Sequence, residues 1–219
     1  AGSLAFAESE FQRYGLDRVT DDEDVLGLKA RLLKDAFIQS DAPDRNQIAQ
    51  QSADVYAQAF RQTGGYYSGI NAATMTFLAD GHTETIREMA QTVLDRLPEA
   101  GTASKTDLYF IEATRAEAFL LLSDTQSAET AMRRAWQHDP VNYIAQARTL
   151  RQLKMICSKR AESQDWLNAF APPACMHFAG HTYAMASGSA DPHEMSGNDE
   201  AKLKAEISNT LQKHDIAFG

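Results

Sequence analysis

With 219 residues and 43% hydrophobic content, the chain is long enough for one large or two small folded domains with a sizeable core. A formal net charge of −9, without any block of lysine and arginine, argues against nucleic acid as the main partner. The two cysteines, Cys157 and Cys175, make neither a disulfide framework nor a metal set and fit a reducing compartment, with cytoplasm the default.

No apolar run approaches the roughly 18 residues of a membrane span, and the opening residues lack the basic start and apolar core of a secretion signal. Ala1-Gly2-Ser3 opens without methionine, as expected of a piece processed or cut from a longer polypeptide.

In chain order, Leu4, Phe6, Ala7 and Phe11 predict a short helix that stops near Gly15. Thr20-Asp21-Asp22-Glu23 has the form of a capping box, and the acidic cluster 21–24 suits the positive end of a helix dipole. The helix it opens carries Val25, Leu28, Leu32, Ala36 and Phe37 as its stripe, and Asp41-Ala42-Pro43-Asp44 breaks it. The next is amphipathic, with Ile48, Ser52, Val55, Tyr56, Ala59 and Phe60 on one side and Gln47, Gln50, Asp54 and Arg61 off it.

The organising stretch is 64–81, bounded by Gly64-Gly65 and Gly81. Ile70, Ala73, Phe77 and Leu78 mark one buried helical face, and Gly69, Ala72 and Met75 mark the other, without a charge between Tyr66 and Ala79. This predicts an inner helix covered on both sides. Gly69 inside it points to close packing of a neighbouring helix. Asn71 must be hydrogen-bonded if buried, to a neighbouring backbone or to a bound partner.

Ile86, Met89, Ala90, Val93, Leu94 and Leu97 predict another amphipathic helix ending at Pro98. Ser104-Lys105-Thr106-Asp107 caps a largely apolar helix through Leu122, and its partner presents Ala128, Ala131, Met132, Ala135 and Trp136. Asp139-Pro140 is read as an N-cap and first-turn pair opening a long helix through Tyr143, Ala147, Leu150, Leu153 and Cys157. Leu78-Ala79-Asp80 and Leu122-Ser123-Asp124 lie 44 residues apart, each between an inner and an amphipathic helix. The expected fold is therefore mainly α, a solenoid of tetratricopeptide-like helix hairpins with divergent repeats.

Tyr66-Tyr67-Ser68-Gly69-Ile70-Asn71-Ala72-Ala73 carries a resemblance, together with Val25-Leu26-Gly27-Leu28, Leu33-Lys34-Asp35, Ala113-Thr114-Arg115-Ala116-Glu117-Ala118 and Arg151-Gln152-Leu153. These strings resemble the divergent tetratricopeptide sensor domain of bacteria, which is similar to the central regulatory, TRAF-binding region of apoptosis signal-regulating kinases. The resemblance covers about residues 24–155. It implies a scaffold or sensor beside a signalling effector such as a nucleotide cyclase, caspase-like protease or kinase, without an activity of its own.

From Ala161 the texture changes, giving expected divisions at 1–161 (solenoid), 162–173 (linker, with Pro172-Pro173) and 174–219. Residues 174–179 read as a strand, 187–197 as a polar loop, 200–213 as a helix and 216–218 as the start of a second strand. That is the opening β-α-β unit of an incomplete Rossmann-like sheet, whose continuation is expected in a longer chain. Phe178-Ala179-Gly180-His181 is similar to the opening of nucleotide-sensing domains of the SLOG type. Cys175, His177 and His181 alternate along the strand, but no fourth zinc ligand is evident, and Cys157 reads as a core thiol.

Glu112, Arg115 and Glu117 interrupt one inner helix, and Arg148, Arg151 and Lys154 form a basic side on the last. Two readings stay open. One is ion pairing between helices and a solvated face. On the other, Tyr67, Asn71, Glu117 and Arg151 converge on a concave groove for a peptide or small anionic signal, and Tyr66, Tyr67, Asn71, Glu117, Arg148 and Arg151 are the binding residues. The leading expectation is a regulatory sensor or scaffold that binds a protein or small signal and controls an effector in the same longer chain, with no catalytic residue, cofactor or metal. The alternative is a fragment of a nucleotide-binding or nucleotide-processing enzyme, with Gly180 and His181 on its nucleotide side. A third is self-association, with the strand at 174–179 pairing across a homodimer.

Overall fold

A computed structural model describes residues 2–40, 42–98 and 104–171, which are mainly helical. The expected β-α-β piece at 174–219, with Gly180 and His181, lies outside the described residues. The chain divides into two units, Ala1–Pro172 and Pro173–Gly219. In the first, the helices are α1 (Gly2–Arg13), α2 (Glu23–Gln39), α3 (Arg45–Thr63), α4 (Tyr66–Leu78), α5 (Thr83–Arg96), α6 (Lys105–Leu121), α7 (Thr125–His138) and α8 (Tyr143–Arg160). Two 3-10 helices, Leu16–Arg18 and Asp165–Phe170, accompany them.

Successive helices from α1 to α7 pack on one another, and α4, α6 and α8 also touch among themselves. These three form the inner row. Helix α4 is the hub: Ile70 and Ala73 enter a core shared with α5 to α8, while Ala72, Met75 and Leu78 enter a second core with α2 and α3. Both faces are covered because the helix carries no charge. At Gly69 an added Cβ would stand 2.7 Å from Val93 Cγ2 of α5 and 2.8 Å from Phe60 Cε2 of α3, so glycine is what lets those two helices meet over α4.

All three inner helices end alike. Asp80, Ser123 and Ala161 adopt positive φ (62°, 68° and 55°). The next amide then reaches back across the last turn, Gly81 to Thr76 O (2.9 Å), Asp124 to Phe119 O (2.9 Å) and Glu162 to Cys157 O (3.0 Å). This six-to-one closure satisfies carbonyls that a helix end otherwise leaves open. Asp80 and Ser123 are the equivalent residues, so the register between the first two ends is one residue shorter than the sequence suggests.

Two cap assignments and one stripe differ from the sequence reading. Asp22, not Thr20, caps α2, accepting the Val25 amide at 2.9 Å. Thr20 instead offers its carbonyl to Gln58 and Gln62 of α3, at 3.0 Å each. Asp139 ends α7, and Asn142 caps α8 through the Ala145 amide at 3.2 Å. On α2 the buried stripe is Leu26, Ala30 and Phe37, whereas Leu28 is exposed. Within the segment 162–173, the stretch read from sequence as a short helix is the 3-10 helix Asp165–Phe170, where Leu167 and Phe170 are buried and Phe170 stacks edge-on to Trp136 of α7 with ring centroids 5.5 Å apart.

Candidate functional site

The corrected phase of α2 has a consequence for the inner surface. Counting from Ala30, Lys34 falls on the buried side of the helix, and its ammonium donates to Asn71 Oδ1 on α4 at 2.7 Å. Asn71 Nδ2 donates in turn to its own helix, at Tyr67 O (2.9 Å). On α6, Glu117 Oε1 accepts from Thr74 Oγ1 of α4 and from Gln152 Nε2 of α8, the latter at 2.8 Å. Four helices thus contribute polar groups to one interior layer.

Of these, Lys34, Asn71, Glu117 and Gln152 line a cavity of about 360 Å³. Tyr67, Asn71, Glu117, Arg148 and Arg151 all border it, so the structure brings together five of the six binding residues expected within the helical part. Tyr66 is not among them; it packs against the core around α5 and α6. Sequence reasoning missed Lys34, Thr74 and Gln152. The available signal for Lys34 was a lone cation on an apolar stripe, legible only once the phase of α2 is right.

The electrostatics follow from withdrawal of water. Burial pulls the Lys34 ammonium down to about 8, against the opposing pull of Glu117, with Arg151 adding to the lowering. Burial likewise pushes the Glu117 carboxyl up, partly offset by Lys34 and by the Thr74 and Gln152 hydrogen bonds. Tyr56 of α3 is fully buried and borders the same cavity, its hydroxyl closed to solvent and pushed up by burial and by the neighbouring Tyr67. Arg31 and Asp35 of α2 pair at 3.9 Å on the rim.

A second cavity, of about 690 Å³, shares Arg151 with the first and is bordered by Arg45, Lys154 and Lys159 over Phe37, Leu78 and Met155. Part of its charge is structural. Lys159 pairs with Asp80 and donates to Leu78 O at 3.3 Å, while the neighbouring Arg160 donates to Leu121 O at 2.6 Å and Ser123 Oγ at 2.7 Å. The last turn of α8 therefore caps the carbonyl ends of both α4 and α6. Of the acidic and basic interruptions on α6, Glu112 pairs with Arg115 and with Arg134 of α7, both at 3.3 Å.

Among the described residues no group of three or more His, Cys, Asp or Glu is placed to hold a metal, and no helix is long and apolar enough to cross a membrane. Cys157 is buried and its thiol is pushed up by burial, so it is held as a thiol.

Helices that share a polar inner groove define a helical module with a recessed, mixed polar and apolar surface. Comparison with known proteins makes the class specific. The family model for the MAP3K TRAFs-binding domain matches residues 15–174, and the chain belongs to that family. It is also similar to the mitogen-activated protein kinase kinase kinase nsy-1 of Caenorhabditis elegans, at 31% identity over 137 residues. That match takes in 61% of this chain and 9% of the relative. No solved structure matches the chain.

Proposed function

We propose that the chain is a regulatory module that binds a protein partner along the inner groove and passes that state to an effector domain in a longer polypeptide. The observation that carries the reading is the groove itself: Tyr67, Asn71, Glu117, Arg148 and Arg151, from three different helices of a TRAFs-binding family member, border one cavity. Support for the effector comes from the kinase relative, of which the matching stretch is a small part. Support for tetratricopeptide-like hairpins comes from the common ending of α4, α6 and α8 and from their mutual contacts.

The test is partner binding with and without the groove. A partner identified by proximity labelling in the source cell is purified and titrated onto the chain by interferometry. Substituting Arg148 and Arg151 together by alanine is expected to weaken binding by about tenfold or more without changing the helical content, because each is an exposed-end guanidinium rather than a core contact. Equal binding by that double variant overturns the groove assignment.

A further inference from the structure

The inner cavity is unevenly provided. Lys34 brings an ammonium with three donors, of which the chain engages one, at Asn71 Oδ1, and no carboxylate among the described residues comes within ion-pair distance. The Tyr56 hydroxyl in the same lining is closed to solvent, with Tyr67 as its polar neighbour. Above them Arg148 and Arg151 are likewise without an ion pair among the described residues. Folding alone leaves the spare donors of Lys34 open within the cavity, a state that a desolvated ammonium resists, while Arg148 and Arg151 stand exposed beside it.

The rim adds an apolar element. Tyr67, Phe110 and Ile144 border the cavity while 51%, 43% and 57% exposed. Large apolar side chains held at the mouth of a cavity, next to free guanidinium groups, have the composition of a protein-recognition hot spot rather than of a small-anion site.

We propose that this cavity receives an acidic side chain of a partner protein, an Asp or Glu flanked by apolar residues. Its carboxylate meets the open donors of Lys34, and its neighbours lie on Tyr67, Phe110 and Ile144. Arg148 and Arg151 select against basic segments from the partner and pair with a second carboxylate nearby. Reaching Lys34 takes the carboxylate into the cavity lining, which sets it apart from a charge that docks only on the exposed Arg148 and Arg151. This rests on the reading of the groove as a protein-binding surface and names the chemistry it recognises.

The experiment is selection of a random displayed-peptide library on the whole chain, followed by titration of the strongest synthetic peptide by fluorescence anisotropy. The expected peptides contain Asp or Glu beside an apolar residue, and replacing that acid by its amide weakens binding by about tenfold, as loss of a charged hydrogen bond does. Lys34→Met is the decisive variant: it is expected to keep the melting temperature at or above that of the parent while abolishing selection of acidic peptides.

Enrichment of neutral peptides that the Arg148 and Arg151 alanine variant still fails to bind would overturn the carboxylate proposal and leave the groove reading standing. Peptides that bind every groove variant equally would overturn both. Inorganic phosphate alone is expected not to raise the melting temperature; a Lys34-dependent rise with phosphate, and no acidic peptide enriched, would assign the site to a free anion and refute a partner side chain.

Discussion

Two glycines that a helix-propensity scale treats alike differ sharply in the space around them. Gly69→Ala and Gly27→Ala each remove a mid-helix glycine, which favours the helix by about 1 kcal/mol. At Gly27 the added Cβ meets nothing within 4 Å, so that gain stands. At Gly69 it meets Val93 Cγ2 at 2.7 Å and Phe60 Cε2 at 2.8 Å, from helices on two sides, and Val93 is fully buried. Overpacking of this kind costs about 1–3 kcal/mol and exceeds the propensity gain. Gly27→Ala is therefore expected to raise the melting temperature by about 2–4 °C and Gly69→Ala, at a net cost of up to about 2 kcal/mol, to lower it by up to about 8 °C, taking about 2–4 °C per kcal/mol for a domain of this size. Thermal unfolding followed by circular dichroism measures both. A Gly69→Ala protein as stable as the parent would show that α3 and α5 yield freely, and the account of α4 as a tightly clamped hub would fail.

Other substitutions test other links. Tyr109→Phe loses the hydroxyl bond to Thr149 Oγ1 at 2.9 Å while keeping the ring beside Trp136, and is expected to cost about 1 kcal/mol in urea unfolding. Arg160→Gln removes the donors to Leu121 O and Ser123 Oγ, so amide exchange at Ser123 and Asp124 is expected to speed up well before that of α4. Lys34→Met is expected to stabilise the fold by about 1–2 kcal/mol near neutral pH, because an ammonium whose protonation burial disfavours is replaced by an apolar side chain, less the lost bond to Asn71. The sign in pH is opposite to that of a lysine gaining a partner. With the folded value lowered to about 8, the unfolded chain binds the proton more tightly, so the parent gains stability as pH rises from about 8 to about 10.5, and Lys34→Met lacks that rise. Urea midpoints at about pH 7 and about pH 9.5 decide it.

The helices from α4 to α7 were legible because their ends are punctuated locally, by Gly64-Gly65, by Pro98, by the Ser104 and Asp107 box and by Asp124. The start of α2 was not, because Thr20, Asp21 and Asp22 are all competent caps and the choice among them is made from outside, by Gln58 and Gln62 holding the Thr20 carbonyl. The same displacement hid Lys34. A stripe through Val25 and Leu28 places Lys34 off the core, whereas the observed stripe through Leu26, Ala30 and Phe37 turns it inward. Tyr67 and Asn71 could be placed from α4 alone, since residues four apart share a face. That Tyr66 turns instead toward the core depends on where α5 and α6 pack, which no local pattern encodes.

The inner layer is also the part of the molecule that stability explains least. Lys34, Asn71, Thr74, Glu117 and Gln152 sit between helices whose other contacts are small and apolar, and apolar residues of similar volume there would remove the desolvation that now lowers Lys34 and raises Glu117. Among the described residues, hydrogen bonds satisfy Asn71 and one oxygen of Glu117 but leave Lys34 with donors to spare. A network built only to hold the helices in register would close on itself. This one stays open toward the cavity, on the side where Arg148, Arg151 and the exposed aromatic rim gather, and that asymmetry separates a recognition layer from a structural one. The two roles part in Lys34→Met, expected to be the more stable protein and the poorer binder; a variant that lost both together would place the layer back among the supports of the fold.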